Sequence, residues 1–367
     1  MHHLKFNKLF FRDTWQLLKP YWTSNEKKSA WSLLFLNIAC VVGEVRANVG
    51  FNHFHKIFYD ALQNFDKNGI IAALEYVLMM SILLALTTSG MIYFNGLLSI
   101  RWRRWLTHHY LHQWLENRSR MHVLNPHIDN PDQRVSEDLD KFPAMTLSLF
   151  LGRNQLLHSI LMLFSFSYIL WGISHYFSFH VHHAVWTIPG LLIWIALIYA
   201  IVGTRMMTWI GKKLAALDYQ QQHYNADFRF NLIQLREEKE NDQPKLDNEK
   251  FSNLFSLVFN NYVSIVSLKT RLALFNKIYG VLSYIIGFAV SMPLYLAKAF
   301  ALGTVTQISS AYNSVSAAFS ILMDSFNDLA EWRAVIHRLA ELSRSMEEVG
   351  ETDAKKLECC AYRRNAS

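Results

Sequence analysis

The chain has 367 residues, 51% of them hydrophobic and 14% aromatic, with only 18% charged and a net charge of +7. Soluble domains run nearer a quarter charged, so the composition points to a membrane protein, and a mean hydropathy of only +0.08 requires large polar segments beside the apolar ones. The basic residues fall in blocks between apolar runs, which fits the positive-inside rule and argues against a nucleic-acid groove.

The chain opens with residues 1–28, which carry six Lys or Arg together with Asp13 and Glu26. No small-residue cleavage site follows a short apolar core, so no cleavable leader is expected. Leu9, Phe10, Phe11, Trp15, Leu17, Leu18, Tyr21 and Trp22 alternate with Lys8, Arg12 and Lys19. That pattern predicts a helix lying on the cytoplasmic membrane surface. A first span is predicted from Trp31 to about Gly50, since a bilayer core takes about 20 helical residues. Residues 76–100 contain no Asp, Glu, Lys or Arg and form a second span. None occurs between Arg153 and Arg205 either, which leaves room for two spans broken near His180-Val181-His182-His183. Residues 278–297 and 304–323 supply a fifth and a sixth, joined by a short turn. The predicted fold class is therefore all-α, a polytopic membrane protein with six transmembrane helices.

Lys and Arg number six in 1–28, seven in 101–141, eleven in 205–277 and seven in 324–367. The opposite loops hold Lys56, Lys67 and Lys298. Both termini and the two long loops are thus expected in the cytoplasm. These loops keep helical periodicity, as in Trp102, Trp105, Leu106, Tyr110, Leu111 and Trp114, so the spans should continue as long cytoplasmic extensions. Asn125-Pro126 and Asn130-Pro131 break the first extension, and Asn241-Asp242-Gln243-Pro244 breaks the second. Each loop reads as a helical hairpin with a polar tip.

Several residues invite a functional reading. Glu44 and Arg46 lie in the first span, where a charge is costly unless paired or facing water. Two residues apart on a helix, they cannot simply pair with each other. One or both line a solute pathway or take up protons, or else they sit near the outer interface bonded to another span. Asn52, His53, His55, Tyr59 and Asp60 form a polar cluster near the outer loop. Its histidines read as an ordinary rim for want of a third ligand, as do His180, His182, His183 and the cytoplasmic His108, His109 and His112. No metal set is expected, and Cys40, Cys359 and Cys360 give no disulfide framework. The last span is polar, with Gln307 and Asn313 among its hydrogen-bonding residues, and should line a cavity or pack closely against other spans. Asp324, Asp328 and Glu331 follow on one face, either at a cytoplasmic gate or solvated. Glu137-Asp138, after Pro131, reads as a helix N-terminal pair that favours the macrodipole.

Five motifs follow in order along the chain: Phe58-Tyr59-Asp60-Ala61-Leu62, Arg101-Trp102-Arg103, Asn130-Pro131-Asp132-Gln133-Arg134 with Glu137-Asp138, Phe228-Arg229 with Asn231-Leu232 and Glu237-Glu238, and Leu329-Ala330-Glu331 leading to Arg338-Leu339. Together with the span layout they resemble an ABC exporter transmembrane domain over residues 10–345, similar to the SbmA/BacA peptide-uptake proteins, their ATP-binding relatives and peroxisomal fatty-acyl transporters. The resemblance implies a surface segment (1–28), a transmembrane domain (29–345) and a polar tail (346–367). It implies a homodimer working by alternating access on peptides or peptide-like antimicrobials in a bacterial inner membrane, with lipidic acyl cargo also open. It makes the first tip, with Asp132, Gln133, Arg134, Glu137 and Asp138, and the second, with Glu237 and Glu238, coupling elements that seat on an ATPase. In the ATPase-free branch Glu137 would instead carry protons. The chain lacks Gly-x-x-x-x-Gly-Lys-Ser/Thr, so ATP and Mg are expected only on a partner or a missing ATP-binding domain. The chain is then a stand-alone permease, a subunit served by a separate ATPase, or a shortened, even inert, form of a fused transporter.

Overall fold

A computed structural model describes residues 8–124, 133–152, 155–176, 178–181, 184–187, 189–237, 248–324 and 328–346. The helices are α1 (Lys8–Thr23), α2 (Lys27–Gln63), α3 (Lys67–Leu124), α4 (Leu139–Leu151) and α5 (Leu156–Ser174). After them come α6 (Leu191–Gly211), α7 (Leu214–Glu237), α8 (Asn248–Leu296) and α9 (Leu302–Asp324). A last helix, α10, covers 328–346. Between α5 and α6 a two-stranded antiparallel hairpin pairs β1 (Ser178–Val181) with β2 (Ala184–Thr187), Ser178 opposite Thr187. The periodicity reading placed only a turn there.

Among the described residues five stretches are long and apolar enough to cross a membrane: Lys27–Gln63, Lys67–Leu115, Arg134–Ser174, Leu191–Gln234 and Glu249–Leu296. The sixth predicted span is present as α9, a 23-residue helix whose Ser, Thr, Gln and Asn keep it out of that apolar class. The first helix does not end near Gly50 but runs 37 residues to Gln63. Gly50 is there for close packing, because a methyl on it would run into Met80 Sδ. Gly43 repeats the device against α3, where an added Cβ would meet Thr87 Cγ2 at 2.5 Å. Small residues of this kind let helix backbones approach where lipid gives no hydrophobic drive to associate. The chain reverses only at Asn64–Asp66, with Phe65 in the left-handed region at φ 55°.

The chain divides into two compact units. In the first, formed by residues up to Ile169 with Ala301–Gln307 and the segment from Ile321, the core gathers Leu17, Tyr21, Leu98, Trp102, Phe142 and Leu339 from α1, α3, α4 and α10. Trp102 is fully buried, stacked on Tyr21 at 5.5 Å and edge-on to Phe142 at 5.5 Å. Arg103–Asp140 at 3.0 Å and Arg104–Glu26 at 2.8 Å rim this core. Being exposed, these pairs contribute little.

The second unit is Leu170–Phe300 with Ile308–Ser320. Its α6 and α8 meet where the Tyr199 hydroxyl donates to the Tyr279 carbonyl at 2.6 Å and the two rings stack at 4.4 Å. Asn261 of α8 donates to the Leu217 carbonyl at 3.0 Å and to Gln221 Oε1 at 2.8 Å, tying it to α7. Gly203 lies directly under the Tyr279 ring, whereas nothing lies within 4 Å of a Cβ built at Gly172. Gly203→Val should therefore overpack the Tyr199–Tyr279 stack and cost about 1–3 kcal/mol. The expected readout is a lower thermal unfolding midpoint in detergent, with Gly172→Val close to the parent.

Candidate functional site

The first polar tip is an elbow between α3 and α4, and its described part begins at Gln133. Arg134–Asp138 form a π-helical turn that feeds into α4. Such wide turns are rare and are frequently found at functional sites. Arg134 and Asp138, four residues apart, lie on one side of this turn, and both are buried. Asp138 occupies the N-cap position of α4 but makes no capping bond. Instead both of its oxygens accept from Arg338 of α10, at 2.8 Å from Nε and 2.7 Å from Nη2. Arg134 reciprocates, donating from Nη1 to the Arg338 carbonyl at 3.1 Å and to Glu341 at 3.2 Å.

Helix α10 is suited to this contact. Trp332, Val335, Ile336, Leu339, Leu342 and Met346 recur at helical spacing and are buried in the core. Along the edge of that apolar stripe run Arg338, Glu341 and Arg344. The Trp332 indole donates to Thr146 of α4 at 2.9 Å, and Arg344 pairs with the buried Asp13 of α1. The hydrogen bonds that Arg338 donates to Asp138 raise the pKa of its guanidinium above the ordinary value. A raised pKa stabilises the fold at every pH below that ordinary value, so the guanidinium stays charged throughout the physiological range.

The remaining predicted residues are dispersed. Gln133 and Glu137 are exposed, with Gln133 Nε2 donating to Glu137 at 3.3 Å and Lys141 at 3.7 Å from the same carboxylate. Asp132 and Glu238 lie outside the described residues, and the side chains of Glu237 and Asp324 are likewise undescribed. Asp328 is exposed. Glu44 is buried at 1% exposure, whereas Arg46 is exposed on another face of α2, so the two are separated as their spacing requires. Tyr59 is half-buried against His55 and Phe58. Asp60 accepts from the Gly303 amide at 2.8 Å and Gln63 from the Leu302 amide at 2.8 Å. They therefore cap the orphan donors at the start of α9. Gln307 is half-buried and its carbonyl accepts from Asn52 at 2.8 Å, and Asn313 is half-buried further along α9. Among the described residues no group of three or more His, Cys, Asp or Glu forms a metal set.

Arg338, Glu341, Asp13 and Arg344 were missed as site residues. Only the closing Arg338-Leu339 motif pointed toward any of them. Breaking a buried pair strands one charge, at about 3–5 kcal/mol, and the 42% exposure of Arg338 against 7% for Asp138 reduces this to about 2–3 kcal/mol. Asp138→Asn and Arg338→Ala should each lower the unfolding midpoint, and their combination should cost less than the sum of the two. Strict additivity in that double-mutant cycle would show that the fork contributes nothing.

The described geometry thus joins apolar spans, long helical extensions and a clasp between an elbow and the helix after α9. The family model described as ABC transporter transmembrane region 2 matches residues 17–296. Over 340 residues the chain is 27% identical to an inner membrane ABC transporter ATP-binding protein, YddA, of Escherichia coli, covering 90% of this chain and 60% of that protein. It is 29% identical over 347 residues to the chloroplastic ABC transporter D family member 2 of Arabidopsis thaliana, covering 91% and 46%. The human lysosomal cobalamin transporter ABCD4 is 27% identical over 228 residues, 60% of this chain and 33% of that one. The chain thus spans about half the length of the curated relatives it matches. It belongs to the ABC transporter transmembrane region 2 family.

Proposed function

We propose that the chain is the membrane-crossing half of a transporter for peptides or peptide-like antimicrobials, working by alternating access as a homodimer. Its energy comes from an ATP-binding domain that these 367 residues do not contain. The observation that carries this reading is the Asp138–Arg338 fork with its Arg134–Glu341 companion. The fork ties the elbow between the second and third spans to α10, the helix that follows α9. A transporter driven from outside the membrane needs such a link, because force applied at a helix end must reach the spans. Two of the relatives are named for ATP binding or for the D family of ABC transporters, and both extend well beyond the shared stretch. The Lys and Arg asymmetry supports cytoplasmic termini, and the name of the E. coli relative supports a bacterial inner membrane.

The test is uptake of a fluorescent proline-rich peptide by vesicles containing the chain together with its ATP-binding partner. Movement that requires ATP and is lost in Arg338→Ala, while the partner still hydrolyses ATP, is the expected result. Movement that follows an imposed pH gradient without ATP would replace this energy source with a proton-coupled, SbmA/BacA-like one. In that case Glu137→Gln should stop it. Transport of cobalamin but of no peptide would overturn the cargo assignment.

A further inference from the structure

Helix α2 carries a polar feature that the clasp does not use. Asn37, Glu44, Asn48 and Asn52 follow one another at intervals of seven, four and four residues. At about 100° per residue these fall within one face of the helix. Three of these polar side chains are buried, Asn37 at 0% exposure, Glu44 at 1% and Asn52 at 1%, while Phe35 at 71% and Val42 at 50% are exposed. The amides therefore share the inward side of α2 with Leu33, Val41 and Val45, while Phe35 and Val42 face outward.

Some of these groups are satisfied. Asn48 Nδ2 donates to the Glu44 carbonyl at 2.9 Å and Asn52 Nδ2 to the Gln307 carbonyl at 2.8 Å. Others are not: Asn52 Oδ1 and both polar atoms of Asn37 are sealed from solvent without a hydrogen-bond partner. An orphaned carboxamide in a membrane span is expensive. A face that only had to pack would carry alanine or leucine at these positions. The cost is understandable if the groups find partners in a second conformation.

We propose that this face of α2 is the solute-contacting track of the transporter, closed in this structure, and that it takes amide-rich solutes bearing a positive charge. The proposal rests on the peptide-transport reading above and deepens it. A carboxamide presents one donor side and one acceptor side, as a peptide bond does, so Asn37 and Asn52 can each pair with a solute backbone amide. Glu44, between them, offers a carboxylate to a peptide amine, lysine or arginine. From Asn37 to Asn52 the rise is about 22 Å, the length of about seven extended residues.

The test uses the full chain in nanodiscs with Cys40, Cys359 and Cys360 replaced by Ser. Single Asn37→Cys and Asn52→Cys variants are exposed to a membrane-impermeant methanethiosulfonate reagent, with Val42→Cys as the outward-facing control. The expected result is labelling at Asn37→Cys and Asn52→Cys at least ten-fold faster than at the control, slowed at least five-fold by a cationic proline-rich peptide. Glu44→Gln, on the unlabelled chain, should weaken that peptide at least ten-fold by fluorescence anisotropy and leave an uncharged analogue unchanged. Labelling no faster than the control overturns the track even if the peptide binds, and the peptide reading then survives without it. Fast labelling that the bound peptide does not slow also overturns it. Absence of peptide binding to the parent chain instead overturns the peptide reading, and the solute class assigned here with it.

Discussion

A carboxylate that gives both oxygens to one guanidinium fixes distance and angle together, and in this protein the Asp138–Arg338 fork does so for segments 200 residues apart. Bidentate charge-assisted bonds are the strong, directional class of hydrogen bond. The apolar stripe of α10 supplies area but little register, since a helix can slide or roll on a greasy surface by small steps. The fork, the Arg134–Glu341 bond and the Trp332–Thr146 bond remove that freedom. Arg134 and Asp138, four residues apart in the π-helical turn, both reach the same neighbour, α10.

The membrane half obeys a different constraint. Leu78, Ile82 and Leu86 of α3 are 63%, 55% and 67% exposed. That is acceptable only where hydrocarbon or another apolar surface covers them. Cohesion between α2 and α3 comes instead from close backbone approach at Gly43 and Gly50. Hydrogen bonds at the α2–α9 junction, from Gly303 to Asp60 and from Leu302 to Gln63, then close the helix terminus that would otherwise present bare amides.

The spans and their helical extensions were legible because they are local, periodic and long, and hydropathy reads such features well. The separation of Glu44 from Arg46 was legible for the same reason, since spacing alone fixes azimuth. The end of α2 was misjudged because bilayer thickness says where a span may stop and says nothing about whether a helix does. The clasp was half legible: Arg134 and Asp138 were singled out, while Arg338 was noted only as part of a motif. No periodic signal connects a residue to one 200 positions away, so the pairing itself needed the fold. The β-hairpin after α5 was read only as a break at His180-Val181-His182-His183, because two four-residue strands are too short to show a period of their own.

The length of α3 has a mechanical consequence. Its 58 residues form one helix, and the 24 that follow Ile100 extend about 36 Å beyond the apolar stretch. No proline lies within it to absorb a bend. A tilt of only about 5° at membrane depth therefore displaces its far end by about 3 Å, by the arithmetic of that rise. Such a helix acts as a lever arm. A movement smaller than a hydrogen bond near the bilayer becomes, at the far end, comparable with the length of the contacts that hold the elbow.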